Sequence, residues 1–250
     1  MAPEPAKHLL DTPPPGVIEE VSPNDFMFRS DNADHYFRTA AVALGHVRGA
    51  LLAAAREQVD SVLDFACGYG RVLRMLKAEF PRARLAAAEV NRDAVDFCAG
   101  TFGARAVYSR ADASDVELGD HFDLIWSGSF FTHIDADAWR GFLALLSSSL
   151  APGGVMVFTV AGRHVVELMR AGERARLTEQ AAQELISDYE REGFGFAEYP
   201  GQERYGLARV TPSWVCKRLE ELGGVRLLSY HESSGAPGER QDFVSCVRVA

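Results

Sequence analysis

Asp64, Glu89 and His133 are the residues of this 250-residue chain whose surroundings point to chemistry. Asp64 lies in the apolar run 61–65, which leads into Ala66-Cys67-Gly68-Tyr69-Gly70 and then a stretch, 71–77, whose apolar residues recur at helical spacing. Glycine has no side chain to block a ligand and tolerates backbone angles that other residues avoid. The free N–H groups of the following helix then face whatever lies over the turn. Glu89 ends a second short apolar run, 84–89, about 20 residues further on, a spacing that suits one βα unit. A carboxylate there accepts two ribose hydroxyls as paired hydrogen bonds. His133 follows a third apolar run, 122–127, and an imidazole titrating near neutrality can take the proton from a hydroxyl. Its other reading is a histidine that caps the next helix or holds the loop.

A strand, a glycine turn and a helix make a nucleotide-type site. The dinucleotide fingerprint asks for a third glycine, and that position is Leu73. What remains, an acid at the strand end followed by A-x-G-x-G, resembles motif I of the class I S-adenosylmethionine (SAM) dependent methyltransferases. The resemblance implies that Asp64 lies near the methionine amino group of SAM, while the backbone of Ala66, Gly68 and Gly70 passes its sulfonium and carboxylate. Ala66 stands where the family more often has glycine. By the same resemblance Val90 and Asn91 flank the adenosine, and Asp112 with Ala113 meets the adenine amino group and a ring nitrogen. Tyr36, an aromatic near the start of the preceding helix, contacts the cofactor, and Ser127 ends the fourth strand where methyl donor and acceptor meet. The implied architecture is α/β: a Rossmann-like three-layer sandwich around a seven-stranded, mostly parallel sheet with a C-terminal antiparallel hairpin.

The elements that must position these residues follow from periodicity and caps. Residues 35–57 form a helix capped by Asn32 or Asp34, with Tyr36, Phe37, Ala40, Leu44, Val47, Leu51 and Leu52 as its apolar stripe. Strands are expected at 61–65, 84–89, 104–109, 122–127 and 155–160, and helices at 71–77, 92–101, 136–150 (capped by Asp135) and 178–192. Ala151-Pro152-Gly153-Gly154 is expected to close the helix before the fifth strand. Thr211-Pro212 opens a helix to 222, and strands at 225–231 and 241–249 make the closing hairpin. The domain is expected over 32–250. Residues 1–31 form an extension: a proline-rich leader to 16, then an amphipathic stretch, 17–28, that is either a short helix and loop on the domain edge or a lid. Residues 162–210 exceed what the family's core needs and are expected to cover the substrate. Acceptor-site candidates are Trp126, Phe130, Phe131, His133, Arg204 and Tyr205.

Net charge −9 and a pI of about 5.3, with scattered Lys and Arg, leave no basic field for DNA or long RNA. The four cysteines lack CxxC or Cys/His spacing, and no acidic cluster suits magnesium, so no metal is expected. The start of the sequence lacks the pattern of a signal peptide and no apolar run approaches a membrane span, so a cytoplasmic protein without membrane partners is expected. The expected function is methyl transfer from SAM to a small-molecule acceptor, a hydroxyl of a sugar or secondary metabolite. A non-catalytic SAM-binding accessory protein and a methyltransferase acting on a macromolecule stay open. A nicotinamide oxidoreductase is disfavoured by Leu73 and the closing hairpin, and the absence of N/D-P-P-Y after the fourth strand disfavours methylation of nucleic-acid bases.

Overall fold

A computed structural model describes residues 11–233 and 240–249, so most of the proline-rich leader and part of the 232–240 loop lie outside the described residues. In chain order the elements are α1 (Ala33–Ala53), β1 (Ser61–Phe65), α2 (Leu73–Glu79), β2 (Arg84–Glu89), α3 (Arg92–Phe102), β3 (Arg105–Tyr108), β4 (Phe122–Ser127), α4 (Ala136–Ser148), β5 (Leu150–Val160), α5 (Arg163–Arg170), α6 (Glu179–Glu192), β6 (Phe194–Glu198), β7 (Gly206–Val210), α7 (Pro212–Leu222), β8 (Val225–His231) and β9 (Asp242–Arg248).

Seven strands form one sheet in the order β3-β2-β1-β4-β5-β9-β8. The first five are parallel, and β9 and β8 add antiparallel pairs at one edge. The inner strands are apolar on both faces because helices cover both. Alternation divides their side chains: Val62, Val155 and Val157 pack with Leu44, Leu73 and Phe102 beneath α1–α3, whereas Leu63, Met156 and Phe158 pack with Trp139, Phe142 and Leu219 beneath α4 and α7. Asp64, two residues from Val62, therefore belongs to the face that α1–α3 cover. The chain runs outward from β1 to β3 and returns at β4, so β1 and β4 flank the point where strand order reverses. Open α/β sheets bind ligands beside the carboxyl ends of such a pair.

Several expectations change. The helix α1 ends at Ala53 rather than residue 57, because Ala55 turns into the left-handed region (φ 52°) and Arg56 leaves to bond Asp123. Asn32 sits at its N-cap without a capping side-chain bond, and Asp34 lies inside the helix. The α2 helix starts at Leu73, two residues late, since Gly70 to Val72 complete the turn. Residues 151–154 do not close α4 but belong to the irregular start of β5. Gly154 is required there because a Cβ would meet the Phe122 carbonyl at 2.7 Å. Residues 17–28 contain turns and no helix.

The insertion 162–210 builds a small unit of its own. Met169 of α5, Leu177, Ala182 and Leu185 of α6, and Leu207 of β7 form a separate apolar cluster. The glycine- and aromatic-rich run 194–198, unassigned from sequence, pairs with β7 as a two-stranded sheet. Gly195 admits α6 so closely that a Cβ would overlap the Leu185 carbonyl.

Candidate active site

The turn after β1 is shaped by three residues with positive φ. Ala66 (φ 60°), Gly68 (φ 51°) and Gly70 (φ 78°) all adopt left-handed angles. A side chain on Gly70 would overlap the ring of buried Phe102, so this glycine serves helix packing, whereas a Cβ on Gly68 would enter open space. Of the two, only Gly68 keeps backbone clear for a ligand. Ala66 holds its conformation at a cost of about 1–2 kcal/mol that glycine would not incur.

Asp64 is 1% exposed, and its Oδ2 has no hydrogen-bond partner. Burial, then the charge of Glu89, pushes its carboxyl well above the usual range, opposed by the Leu73 N–H and by Arg71. A buried carboxylate with one unsatisfied oxygen calls for a cationic or hydrogen-bond-donating ligand.

Glu89 is engaged by backbone: its Oε2 accepts from Gly68 N–H at 3.2 Å, and its Oε1 from Val90 N–H at 2.7 Å and Asn91 N–H at 3.2 Å. Three bonds on a group with about four acceptor positions fix the carboxylate to the glycine turn and leave acceptor capacity for a diol. Val90 stands exposed beside it, a large apolar side chain that a planar ring could cover. Asn91 caps α3 by accepting from Asp93 N–H, and its amide reaches Tyr69 Oη.

Asp112 is exposed and paired with Arg204, whose Nη1 donates to Oδ1 at 2.7 Å and whose Nε donates to Asp135 at 3.0 Å. Without ligand Arg204, read as an acceptor-site residue, clasps the β6–β7 turn to the loop after β3. Ala113 packs against Gly141 of α4. Tyr36, read as a cofactor contact, is engaged within the protein. It is buried, with its hydroxyl donating to Asp25 Oδ2 at 2.7 Å and its ring packed on Phe28 and Phe37. It therefore anchors the extension: Asn24 reaches Asp93, which also accepts from Tyr69 of the glycine turn, and Arg74 donates to the carbonyls of Ile18 and Glu20.

Beyond β4 the candidates separate. Trp126, Ser127 and Phe131 are buried in the core: Trp126 lies near Phe243, and Phe131 packs between Trp139 and Phe158. The Ser127 hydroxyl is buried and has no partner. Trp126 and Ser127 belong to β4 of a sheet covered on both faces, and Phe131 follows it into the core, so all three are buried without ligand. Phe130 is half-buried, edge-on to Phe65 and Phe142.

His133 and Tyr205 come together. Ile134 bridges Tyr205, and Gly206 N–H donates to the His133 carbonyl at 2.9 Å, so the insertion docks on this loop by backbone bonds. The His133 ring stacks on Tyr205 (5.2 Å, 25°), and Nδ1 lies 2.7 Å from the Gly206 carbonyl and 3.5 Å from Tyr199 Oη. A carbonyl only accepts, so Nδ1 carries the proton and Nε2 presents its lone pair. Burial holds the imidazole below its ordinary pKa; the Gly206 bond opposes this, and the charges of Arg209 and Arg176 add to it. Tyr199 and Arg209 were missed from sequence because the β6–β7 pairing and its docking place them, and Arg176 because only the fold sets it over the Tyr199 ring.

Residues 62–154 match a family model described as a methyltransferase domain. A malonyl-[acyl-carrier protein] O-methyltransferase of Acetivibrio thermocellus is 24% identical over 164 residues, 65% of this chain and 53% of that protein, so the chain spans about half the length of this curated relative. Among solved structures, an S-adenosylmethionine-dependent methyltransferase from Clostridium acetobutylicum superposes with a TM-score of 0.58 at 14% identity, covering 82% of this chain and 89% of that one. The 1,6-didemethyltoxoflavin-N1-methyltransferase of Burkholderia thailandensis, solved with 1,6-didemethyltoxoflavin and S-adenosylhomocysteine, gives 0.57 at 14% identity, covering 88% and 80%. No helix among the described residues is long and apolar enough to cross a membrane.

Proposed function

We propose that this chain, which carries a class I SAM-dependent methyltransferase domain, transfers a methyl group to a hydroxyl of a small-molecule acceptor, with His133 as general base. The observation that carries the acceptor chemistry is the fixed tautomer of His133, with Nε2 unprotonated at the carboxyl edge of the sheet beside Tyr199 and Tyr205.

The residues around the glycine turn fit SAM. The orphaned Asp64 oxygen suits an ammonium group, the open space at Gly68 leaves backbone free beside it, and Glu89 keeps acceptor capacity for the ribose hydroxyls. Asp112 would receive the adenine amino group on the oxygen that Arg204 leaves free. When bound, SAM supplies a methyl group on a positive sulfonium, a strong leaving group, so the protein's task is alignment of the acceptor rather than covalent catalysis. His133 Nε2 removes the hydroxyl proton as the oxygen attacks, and the Gly206 carbonyl steadies the imidazolium through Nδ1–H. The insertion contributes Tyr199 and Tyr205 as aromatic walls and keeps water from the reacting oxygen.

Calorimetric titration with SAM, S-adenosylhomocysteine and NAD tests the cofactor. Both adenosyl ligands are expected to bind and NAD not, and Glu89→Ala to weaken binding by about 1.5–3 kcal/mol through loss of charge-assisted hydrogen bonds. Formation of S-adenosylhomocysteine on a panel of hydroxyl and amine acceptors, with His133→Gln alongside, tests the acceptor. A folded protein that binds neither adenosyl ligand refutes the proposal.

A further inference from the structure

Arg209 lies near the end of the insertion, on β7, and is 4% exposed. Its Nη1 donates to the Ala208 carbonyl at 2.8 Å, its Nε has no partner, and no carboxylate among the described residues lies within ion-pair distance of it. The other deeply buried arginine differs. Arg74 satisfies its guanidinium with the carbonyls of Ile18, Glu20 and Gly70. Glu173, the carboxylate that acts on Arg209 electrostatically, is already bonded to Arg240. A buried cation without a counter-ion is expensive, and a fold does not need one at this position: β6 and β7 pair through their backbones, and the cluster around Leu185 supplies the apolar contact.

The strand also brings Arg209 to the chemistry. Its β7 docks on the histidine loop through Gly206 N–H to the His133 carbonyl and Ala208 N–H to the Thr132 carbonyl, and alternation puts Arg209 on the side of the chain that carries Tyr205, the ring stacked on His133. The Arg176 guanidinium lies 6.0 Å from the centre of the Tyr199 ring, on an exposed turn where Ala175 (φ 44°) and Arg176 (φ 75°) are both held in the left-handed region. Two cations, one buried on the strand that docks against His133 and one at the surface beside Tyr199, therefore belong to the insertion in a protein whose net charge is −9. A surface so acidic repels anions, so a site built to receive one needs a local cationic field.

We infer that the acceptor is anionic, bearing a carboxylate or phosphate group that Arg209 receives beside His133, with Arg176 as the outer guide. A guanidinium matches either group with two parallel N–H donors. The inference rests on the proposed methyl transfer and names the acceptor class for it. Burial lowers the Arg209 pKa to about 10, which still leaves it charged near neutrality, and the missing counter-ion arrives with the substrate.

The test uses the full chain loaded with S-adenosylhomocysteine, with the His133 ring signal followed by NMR and assigned through His133→Gln. Inorganic phosphate and acetate are the probes, and choline chloride is the ionic-strength control. One of the two anions is expected to raise the His133 pKa saturably, and which one does so separates phosphate from carboxylate. Arg209→Met is expected to weaken that response about 10- to 100-fold while melting no lower than wild type, since it removes an uncompensated buried charge. Arg176→Gln, an exposed change that keeps the fold testable should Arg209→Met not be recovered, is expected to weaken it less. The inference is overturned if choline chloride matches both anions, if the response survives in Arg209→Met, or if that variant melts lower with the response intact. S-adenosylhomocysteine binding is read in the same samples: its retention with no anion response defeats the acceptor class alone, and its loss in wild type defeats the methyltransferase reading.

Discussion

Replacing Asp64 by Asn removes a buried charge at nearly constant shape, and the structure fixes opposite signs for its two consequences. Without ligand, Asp64 is 1% exposed with Oδ2 unsatisfied, and burial is the main cause of its raised pKa. A carboxyl whose native pKa exceeds its unfolded value of about 3.9 destabilises the fold when ionised. In wild type the native state binds more protons than the unfolded chain across that window, so this group's contribution to stability falls as pH rises from about 4 through the raised value. The Asn variant lacks that fall and is expected to be about 1–2 kcal/mol more stable near neutrality, or roughly 2–8 °C in Tm. With ligand the sign reverses. A SAM ammonium loses its charged partner, at about 1.5–3 kcal/mol, or about 10- to 150-fold in Kd. Affinity of wild type is expected to rise with pH through the Asp64 titration, up to about pH 8 where the ligand's own amino group loses its proton, and to be flat over the acid part of that range in the variant. Scanning calorimetry of the free protein and titration of SAM from pH 5 to about 8 read both effects. A variant that melts lower and binds SAM as well as wild type would refute the assignment of Asp64 as the cation's partner.

The two glycines of the turn are expected to fail differently. Gly70→Ala drives a methyl into Phe102 at a positive φ and is expected to cost about 2–4 kcal/mol of stability by thermal melting, whereas Gly68→Ala costs about 1 kcal/mol yet weakens SAM binding measured by calorimetry. For a hydroxyl acceptor, kcat/KM is expected to rise with pH and reach its plateau below the ordinary histidine range, because burial holds His133 low. The rising limb is lost in His133→Gln, as read from the pH dependence of S-adenosylhomocysteine release.

What sequence determined by itself is the part of this protein written in local patterns. The strands β1, β2 and β4 follow from continuous apolar runs, because a strand covered on both faces must be apolar throughout, and their observed bounds are those read from the chain. The Asp135, Thr211 and Pro212 signals placed the starts of α4 and α7, since capping is a contact between residues two or three apart. The positions of Asp64, Gly68, Glu89 and Asp112 at adjacent strand ends follow from the same register.

Tertiary structure alone decided which of the candidates are buried and what each one touches. Trp126 and Phe131 were as plausible in the chain as Phe130, and only packing between Phe243, Trp139 and Phe158 buries them. Tyr36 anchors the extension because Asp25, eleven residues away in a stretch without helix, folds back onto its hydroxyl. The Gly206 carbonyl that sets the His133 tautomer is 73 residues distant, and Arg209 reaches the same face only because the β6–β7 pair docks there. Periodicity records which side of its own element a residue occupies. It does not record which distant element will cover that side, and that covering decides burial, protonation and the absence of a counter-ion.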